Sequence, residues 1–245
     1  MAIETTQIHP LANGQAVSIT RRDSRGHKYI VDSGPPLPSV TGMLGHIEAG
    51  MFSIASAWTA KKIRLSGGDY DAAKKAGDQA IAEGNDIHDA IERFIGTGEI
   101  AENPAFMSWY NTVGLEHDPF WAAAETFIYH PALMYGGTLD AISDRFDGTY
   151  RGGTLWDWKT KAPESYWKYG GSLKDHAQVA SYVMALEAMG SQWQPQRAKI
   201  AYIMRDGSGT DVIDVDLDAG NKLFTLSRSL YLANALYKDM TKPGA

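Results

Sequence analysis

The sequence predicts an α/β protein, a mixed central β-sheet flanked by helices with a helical elaboration ahead of it. Three observations lead there. Residues 136–146 and 156–161 are strand-like runs on either side of Asp147-Gly148, a strong hairpin-turn signal. Residues 172–189 form a helical run between the strand at 156–161 and another at 197–204, and such strand–helix–strand units close with a right-handed crossover and a parallel pair. Helical sequence dominates from about residue 41 to residue 98, interrupted near Ser66-Gly67-Gly68.

The chain has 245 residues and 44% hydrophobic content, enough for one domain with ample core. Its expected parts are an N-terminal hairpin (1–36), a mainly helical region (37–122), a sheet-and-helix region (123–217) and a final helix (218–245). There is no cysteine, which excludes disulfides, thiolate zinc sites and iron–sulfur clusters. No apolar run approaches membrane-spanning length, and the N-terminus lacks the basic and apolar regions of a signal peptide. The expectation is a soluble, cytoplasmic protein with no membrane contact. A net charge of −6 argues against a broad basic nucleic-acid surface and leaves room for a local one.

In chain order, strands 16–22 and 27–32 are joined by a turn at 23–26, and Gly34-Pro35-Pro36 marks a break. Leu37-Pro38-Ser39-Val40-Thr41 leads into a helix with Ser39 or Thr41 as N-cap. Within 69–95, Ile81, His88, Ile91 and Ile95 recur at helical spacing and predict an inward face. His88 then has two readings: a core histidine satisfied by one hydrogen bond, or a metal ligand if its helix packs over acidic groups. Glu92 shares that face and is expected as a solvated charge. Residues 103–121, with Trp109, Tyr110, Phe120 and Trp121, read as helix and loop packing. The next strand is 124–130, where Glu125 could approach the site but, as a strand-end carboxylate, is more readily read as solvated; His130, His117 and His46 are expected as structural or surface residues.

Further on, Tyr166, Trp167, Lys168 and Tyr169 interleave rings with a lysine, a pattern that stacks bases and neutralises phosphates or simply packs a core. Ser172 and Asp175 form a capping box, and Gln178 and Tyr182 share one helix face. A turn at 206–209 precedes a strand at 211–217. Asp218 is expected to cap a helix reaching about Lys238, with Leu223, Leu226, Leu230 and Leu236 as its apolar stripe.

The chemistry centres on Trp-Asp157-Trp-Lys159-Thr-Lys. Alternation puts Asp157 and Lys159 on one side of their strand, a poor core and a good place to hold a metal beside a water that must lose a proton. If Asp147-Gly148 is the hairpin loop, Asp140 falls opposite Leu155, and Asp140 and Asp157 become diagonal neighbours roughly 7–8 Å apart. Two carboxylates and one lysine on a face are left half-paired, a conflict that a hard divalent ion resolves.

Gly-Gly-Thr-Leu-Asp140, Trp-Asp157-Trp-Lys159-Thr and Gln178-x-x-x-Tyr182, preceded by His88 in Glu-Gly-Asn-Asp-Ile-His-Asp-Ala-Ile-Glu, together resemble the PD-(D/E)XK nuclease superfamily in its RecB-like exonuclease branch. Leu-Pro-Ser-Val-Thr near residue 40 is similar to the start of mitochondrial genome-maintenance exonucleases and related phage exonucleases. The matching positions span roughly residues 37–204. Glu83-Gly84-Asn85 departs from the Arg-Gly-Thr often found there, and the cysteine cluster of some relatives is missing. The resemblance implies a restriction-endonuclease-like core in which Asp140, Asp157, His88 and the Trp158 carbonyl bind Mg2+ or Mn2+. It implies that Lys159 orients the attacking water, that Gln178 positions that lysine or a phosphate, and that Tyr182 contacts the nucleic-acid backbone.

Because the chain is acidic, DNA contact is expected to be local, through Lys159, Lys161, Lys168 and Lys174 beside Trp167, with Lys61, Lys62 and Arg64 from the helical region. The implied function is a metal-dependent DNA exonuclease acting on single-stranded DNA from a free end, in recombination, repair or phage replication. The implied partner is a recombination or single-strand-binding protein. The alternatives are a restriction- or nickase-type endonuclease, and a non-catalytic DNA-binding relative within a helicase or recombination complex.

Overall fold

The computed structural model describes residues 3–24, 26–50, 63–64, 67–117, 120–144 and 153–240. Its first unit is an antiparallel sheet of β1 (Ile3–Pro10), β2 (Ala16–Ser24), β3 (Gly26–Val31) and β4 (Leu37–Pro38), in chain order. The expected hairpin, β2–β3, is therefore the middle of a four-stranded sheet. The strand β1 escapes a sequence reading because it keeps little buried surface and so carries no clean apolar alternation.

Helix α1 (Val40–Gly50) opens on Ser39, whose Oγ accepts from the Gly42 N–H at 3.1 Å, so Ser39 rather than Thr41 is the cap. Helix α2 (Tyr70–Thr97) begins on an Asp69 cap and ends on left-handed Gly98. Ile87, Ala90, Ile91 and Phe94 form its buried face. Ile81, expected on that face, is 65% exposed, because among the described residues the buried positions of α2 begin at Gly84. Helix α3 (Pro104–Trp109), capped by Asn103, continues through a π-helical turn (Tyr110–Gly114) and buries Phe106, Trp109 and Val113.

The second sheet runs β5 (Trp121–His130), β6 (Tyr135–Ser143), β7 (Thr154–Lys161), β8 (Arg197–Met204), β9 (Thr210–Asp214). Only the β7–β8 pair is parallel, and α4 (Pro163–Tyr169) and α5 (Leu173–Ala188) make the crossover between them. The Ser172–Asp175 capping box forms as expected. Cores lie on both faces of this mixed sheet. One joins Leu139, Ile142, Leu155 and Ile200 to α1, α5 and the first sheet. The other packs Trp156 and Trp158 with Ile91, Phe94, Phe106 and Trp109 of α2 and α3.

Helix α6 (Leu217–Met240) differs from expectation in its cap and in its buried face. Asp216, not Asp218, accepts from the Ala219 N–H at 2.9 Å, and β9 stops at Asp214. Its inward row is Gly220, Phe224 and Ser227; of the expected stripe Leu223 packs partly against the core, while Leu226, Leu230 and Leu236 are more than half exposed. Periodicity chose the wrong face because small Gly220 sits directly against His176 and Ala180 of α5, where no leucine fits. Among the described residues, no helix is long and apolar enough to cross a membrane.

Candidate metal centre

Strands β6 and β7 pair as Ala141↔Trp156, Ile142↔Leu155 and Ser143↔Thr154. The expected register put Asp140 opposite Leu155, so the observed one is shifted by two residues. An even shift keeps every side chain on its face, and Asp140 and Asp157 come into line on the side of Ile142 and Leu155 instead of lying diagonally. The expected turn at Asp147-Gly148 lies outside the described residues. The backbone ladder stops at Ala141↔Trp156, and Asp140 takes its place by accepting from the Trp158 N–H at 2.6 Å.

Asp157 is fully buried, and among the described residues its Oδ1 has no hydrogen-bond partner, whereas Oδ2 faces the Lys159 ammonium. That contact is an ion pair. Burial pushes its pKa up to about 7 against the pull of Lys159. Burial also works against charge on Lys159, but Asp157 and Asp140 outweigh it and hold the ammonium above the ordinary lysine range. Asp140 is likewise raised by burial, with Lys159 and the Trp158 N–H opposing.

Helix α2 packs on the Trp156–Trp158 face of the sheet, closest at Gly84, where a Cβ would lie 2.8 Å from Thr160 Oγ1. That close approach brings His88, one turn on, to 3.9 Å from Asp140 (Nδ1 to Oδ2) and to the backbone of Trp158. Burial and Lys159 lower the His88 pKa, which keeps the imidazole neutral and able to ligate. Glu83, part of the departure from the family pattern, lies 3.8 Å from Arg205.

Glu125, which the sequence allowed near the site but read first as a solvated strand end, belongs to the site. It is the fifth residue of ten in β5, not a strand end, and it stands across the ladder from Asp140, between Ala124↔Ala141 and Thr126↔Leu139. Its φ of 43° turns it out of the ladder. Gln7 of β1 secures the kink, donating to the Glu125 carbonyl and accepting from the Phe127 N–H, both at 2.8 Å. Burial first, then Asp140 and Glu92, push its carboxyl up to about 8. Ligand atoms of His88, Glu125 and Asp140 lie within 4.8 Å of one another. Glu92 is exposed as expected, yet its charge reaches the site. A lone acid amid Ala-Ala-Ala and Thr-Phe-Ile was the available signal.

Asp140 and Asp157 share the Lys159 ammonium, Glu125 feels the Arg21 guanidinium, and among the described residues the buried Asp157 Oδ1 has no hydrogen-bond partner. That deficit of positive charge, in a set of oxygens with one neutral imidazole, fits a hard divalent cation such as Mg2+ or Mn2+. The remaining expected residues are less central. Gln178 donates to the Tyr182 hydroxyl at 2.9 Å, and Tyr182 is buried rather than presented on an outer surface. Lys161 is engaged with Asp175 at 3.4 Å. Lys168 and Trp167 are exposed on α4, whereas Tyr166 is core. His130 is structural, accepting from the Leu133 N–H. Lys61 and Lys62 lie outside the described residues.

The raised carboxyls make a stability prediction. Glu125 and Asp157 have folded-state pKa values above their unfolded ones, so the folded chain holds extra protons between about pH 4.5 and about 8. The stability tied to those protons is complete at low pH and is lost as pH rises through the folded values. Glu125→Gln should therefore raise the Tm of the metal-free protein at pH 8 by ~3 °C or more, and weaken Mn2+ binding measured by calorimetry. Equal Tm and equal Mn2+ affinity in both proteins would remove Glu125 from the site.

No protein-family model matches the chain, and no curated protein matches it. Among solved structures, one described as "Crystal structure of SSO0001" is similar at a TM-score of 0.32 and 15% identity, over 59% of this chain and 71% of that one.

Proposed function

We propose that this chain is a divalent-metal-dependent deoxyribonuclease that hydrolyses phosphodiester bonds of single-stranded DNA from a free end. The observation that carries the reading is the buried Asp157 carboxylate, paired at Oδ2 with Lys159 and without a hydrogen-bond partner at Oδ1 among the described residues, next to the His88–Glu125–Asp140 donor set. An acid-x-lysine strand inside a mixed sheet, with a helical crossover to a parallel neighbour, also supports assignment to a PD-(D/E)XK core of the RecB-like kind.

Asp140, Asp157, Glu125 and His88 would hold Mg2+ or Mn2+, which supplies Lewis-acid polarisation of a phosphoryl oxygen and a water of lowered pKa. Lys159 keeps its proton at neutral pH and lies where charge develops on the phosphoryl group, so it stabilises the transition state electrostatically. Asp140 is oriented by the Trp158 N–H, and His88 by the same backbone. Exposed Trp167 and Tyr169, with Lys168 between them, offer rings and charge to a single strand.

His88→Ala should raise the Mn2+ concentration needed for half-maximal cleavage by roughly tenfold or more. A lower Tm with unchanged metal dependence would return His88 to the core reading. The function itself is tested with end-labelled linear and covalently closed circular single-stranded DNA in Mg2+ or Mn2+. Linear DNA should be degraded to short products and circular DNA spared. Efficient cutting of circles would favour the endonuclease, and cleavage of neither would overturn the proposal.

A further inference from the structure

Beside the metal centre lies a cavity of about 170 Å3, between the two sheets and the start of α1. That is room for roughly five waters, more than a phosphate group needs. Arg21 and Tyr29, paired across β2–β3, form one wall; Thr138 of β6 forms the floor; Gln178 and Tyr182 of α5 close the far side. Gly136 and Gly137 make the fit possible, since a Cβ on them would lie 2.5 Å from Tyr29 and 2.6 Å from Tyr182. Thr41 lines the cavity at the positive end of α1.

The chemistry of this cavity is opposite to that of its neighbour. None of its lining residues is an Asp or Glu. Arg21 spends part of its guanidinium on Asp23 at 3.2 Å and touches Thr138 Oγ1 at 3.5 Å, but its buried Nε–H has no hydrogen-bond partner. The buried Tyr182 hydroxyl accepts from Gln178, which leaves its own proton available to donate. A guanidinium fork, hydroxyl donors and a helix N-terminus together suit a tetrahedral oxyanion. Thr138 and Asp140 are two residues apart on β6 and share a face, so the cavity floor lies about 7 Å from the metal ligands, a distance one nucleotide spans.

We propose that this cavity binds a phosphate group of the substrate one nucleotide away from the phosphate being cleaved, with Arg21 as its principal ligand; this rests on the nuclease reading above. Asp23 is the carboxylate in direct contact with Arg21, with Glu125 acting on it from the neighbouring site, and Asp23 also pairs with His27 at the cavity mouth. Removing the Asp23 carboxylate frees the guanidinium for substrate.

The test measures binding of a fluorescent single-stranded oligonucleotide by anisotropy in Ca2+, across a range of salt. Arg21→Gln should weaken binding roughly tenfold and lower the slope of log affinity against log salt by about one. Asp23→Asn should tighten binding. Thr41→Val, at an exposed position, should weaken it severalfold without an effect on folding. Loss confined to 5′- or 3′-phosphorylated oligonucleotides would assign the cavity to a terminal phosphate; equal loss with unphosphorylated or circular strands would assign it to an internucleotide one. An unchanged affinity and salt slope in Arg21→Gln, with only a lower Tm, would make Arg21 a structural partner of Asp23 and overturn the proposal. So would failure of the wild type to bind. A wild type that binds through Arg21 but cleaves nothing would keep the cavity and remove the nuclease, and the reverse pattern would do the opposite.

Discussion

Asp157→Asn and Asp140→Asn should each reduce cleavage by about 10³-fold, the rate equivalent of several kcal/mol of lost transition-state stabilisation. Asp140→Asn should melt no earlier than the wild type in the absence of metal, and Asp157→Asn should lose less stability than Lys159→Ala because Asp140 still acts on the buried ammonium. Burial already pushes both carboxyls toward their neutral form, and an amide of the same shape removes a charge that the fold holds at a cost. In Asp140→Asn the side-chain carbonyl oxygen would still accept from the Trp158 N–H. Activity and stability therefore separate most clearly at Asp140. Near wild-type cleavage by either variant, measured in Mg2+ and in Mn2+, would contradict its role as a metal ligand.

Lys159→Ala should lose both activity and stability. Among the described residues its ammonium is the charged contact of a fully buried carboxylate, and removing one partner of such a pair costs about 3 kcal/mol or more. Cleavage should fall by roughly 10²-fold or more, because the charge acts on the transition state. Adding Asp157→Asn to Lys159→Ala should restore much of the stability and none of the activity. Mn2+ should raise the Tm of Lys159→Ala by more than it raises that of the wild type, since the ion replaces the lost positive charge. Lys159→Arg should rescue only in part, because a delocalised fork does not substitute for a compact ammonium. Calorimetry showing no Mn2+ binding by Lys159→Ala would contradict this division of roles.

Much of this site was legible in the sequence because parity survives errors that register does not. Asp140 and Asp157 share a face under any even shift of β6 against β7, so a hairpin misplaced by two residues still brought them together. The parallel β7–β8 pair and the Ser172 cap followed from local signals that the fold leaves intact. Glu125 reads first as solvated for a local reason: β5 begins at Trp121, three residues before its expected start, which turned a mid-strand acid into an apparent strand end. Arg21 was invisible for a different reason. Nothing near it in sequence announces that β2 will face Thr138 and Tyr182 across two sheets. The outward leucines of α6 show the same limit, since its apolar residues occupy more than one face and packing on Gly220 decides which is buried.

The most direct measurement is single-turnover digestion of end-labelled linear single-stranded DNA by the wild type and by Asp157→Asn, each with Mg2+, with Mn2+ and with excess chelator. The expected result is short labelled products from the wild type in either metal, none with chelator, and none from Asp157→Asn. No cleavage by the wild type in either metal would contradict the nuclease assignment, as would chelator-resistant cleavage that the variant shares.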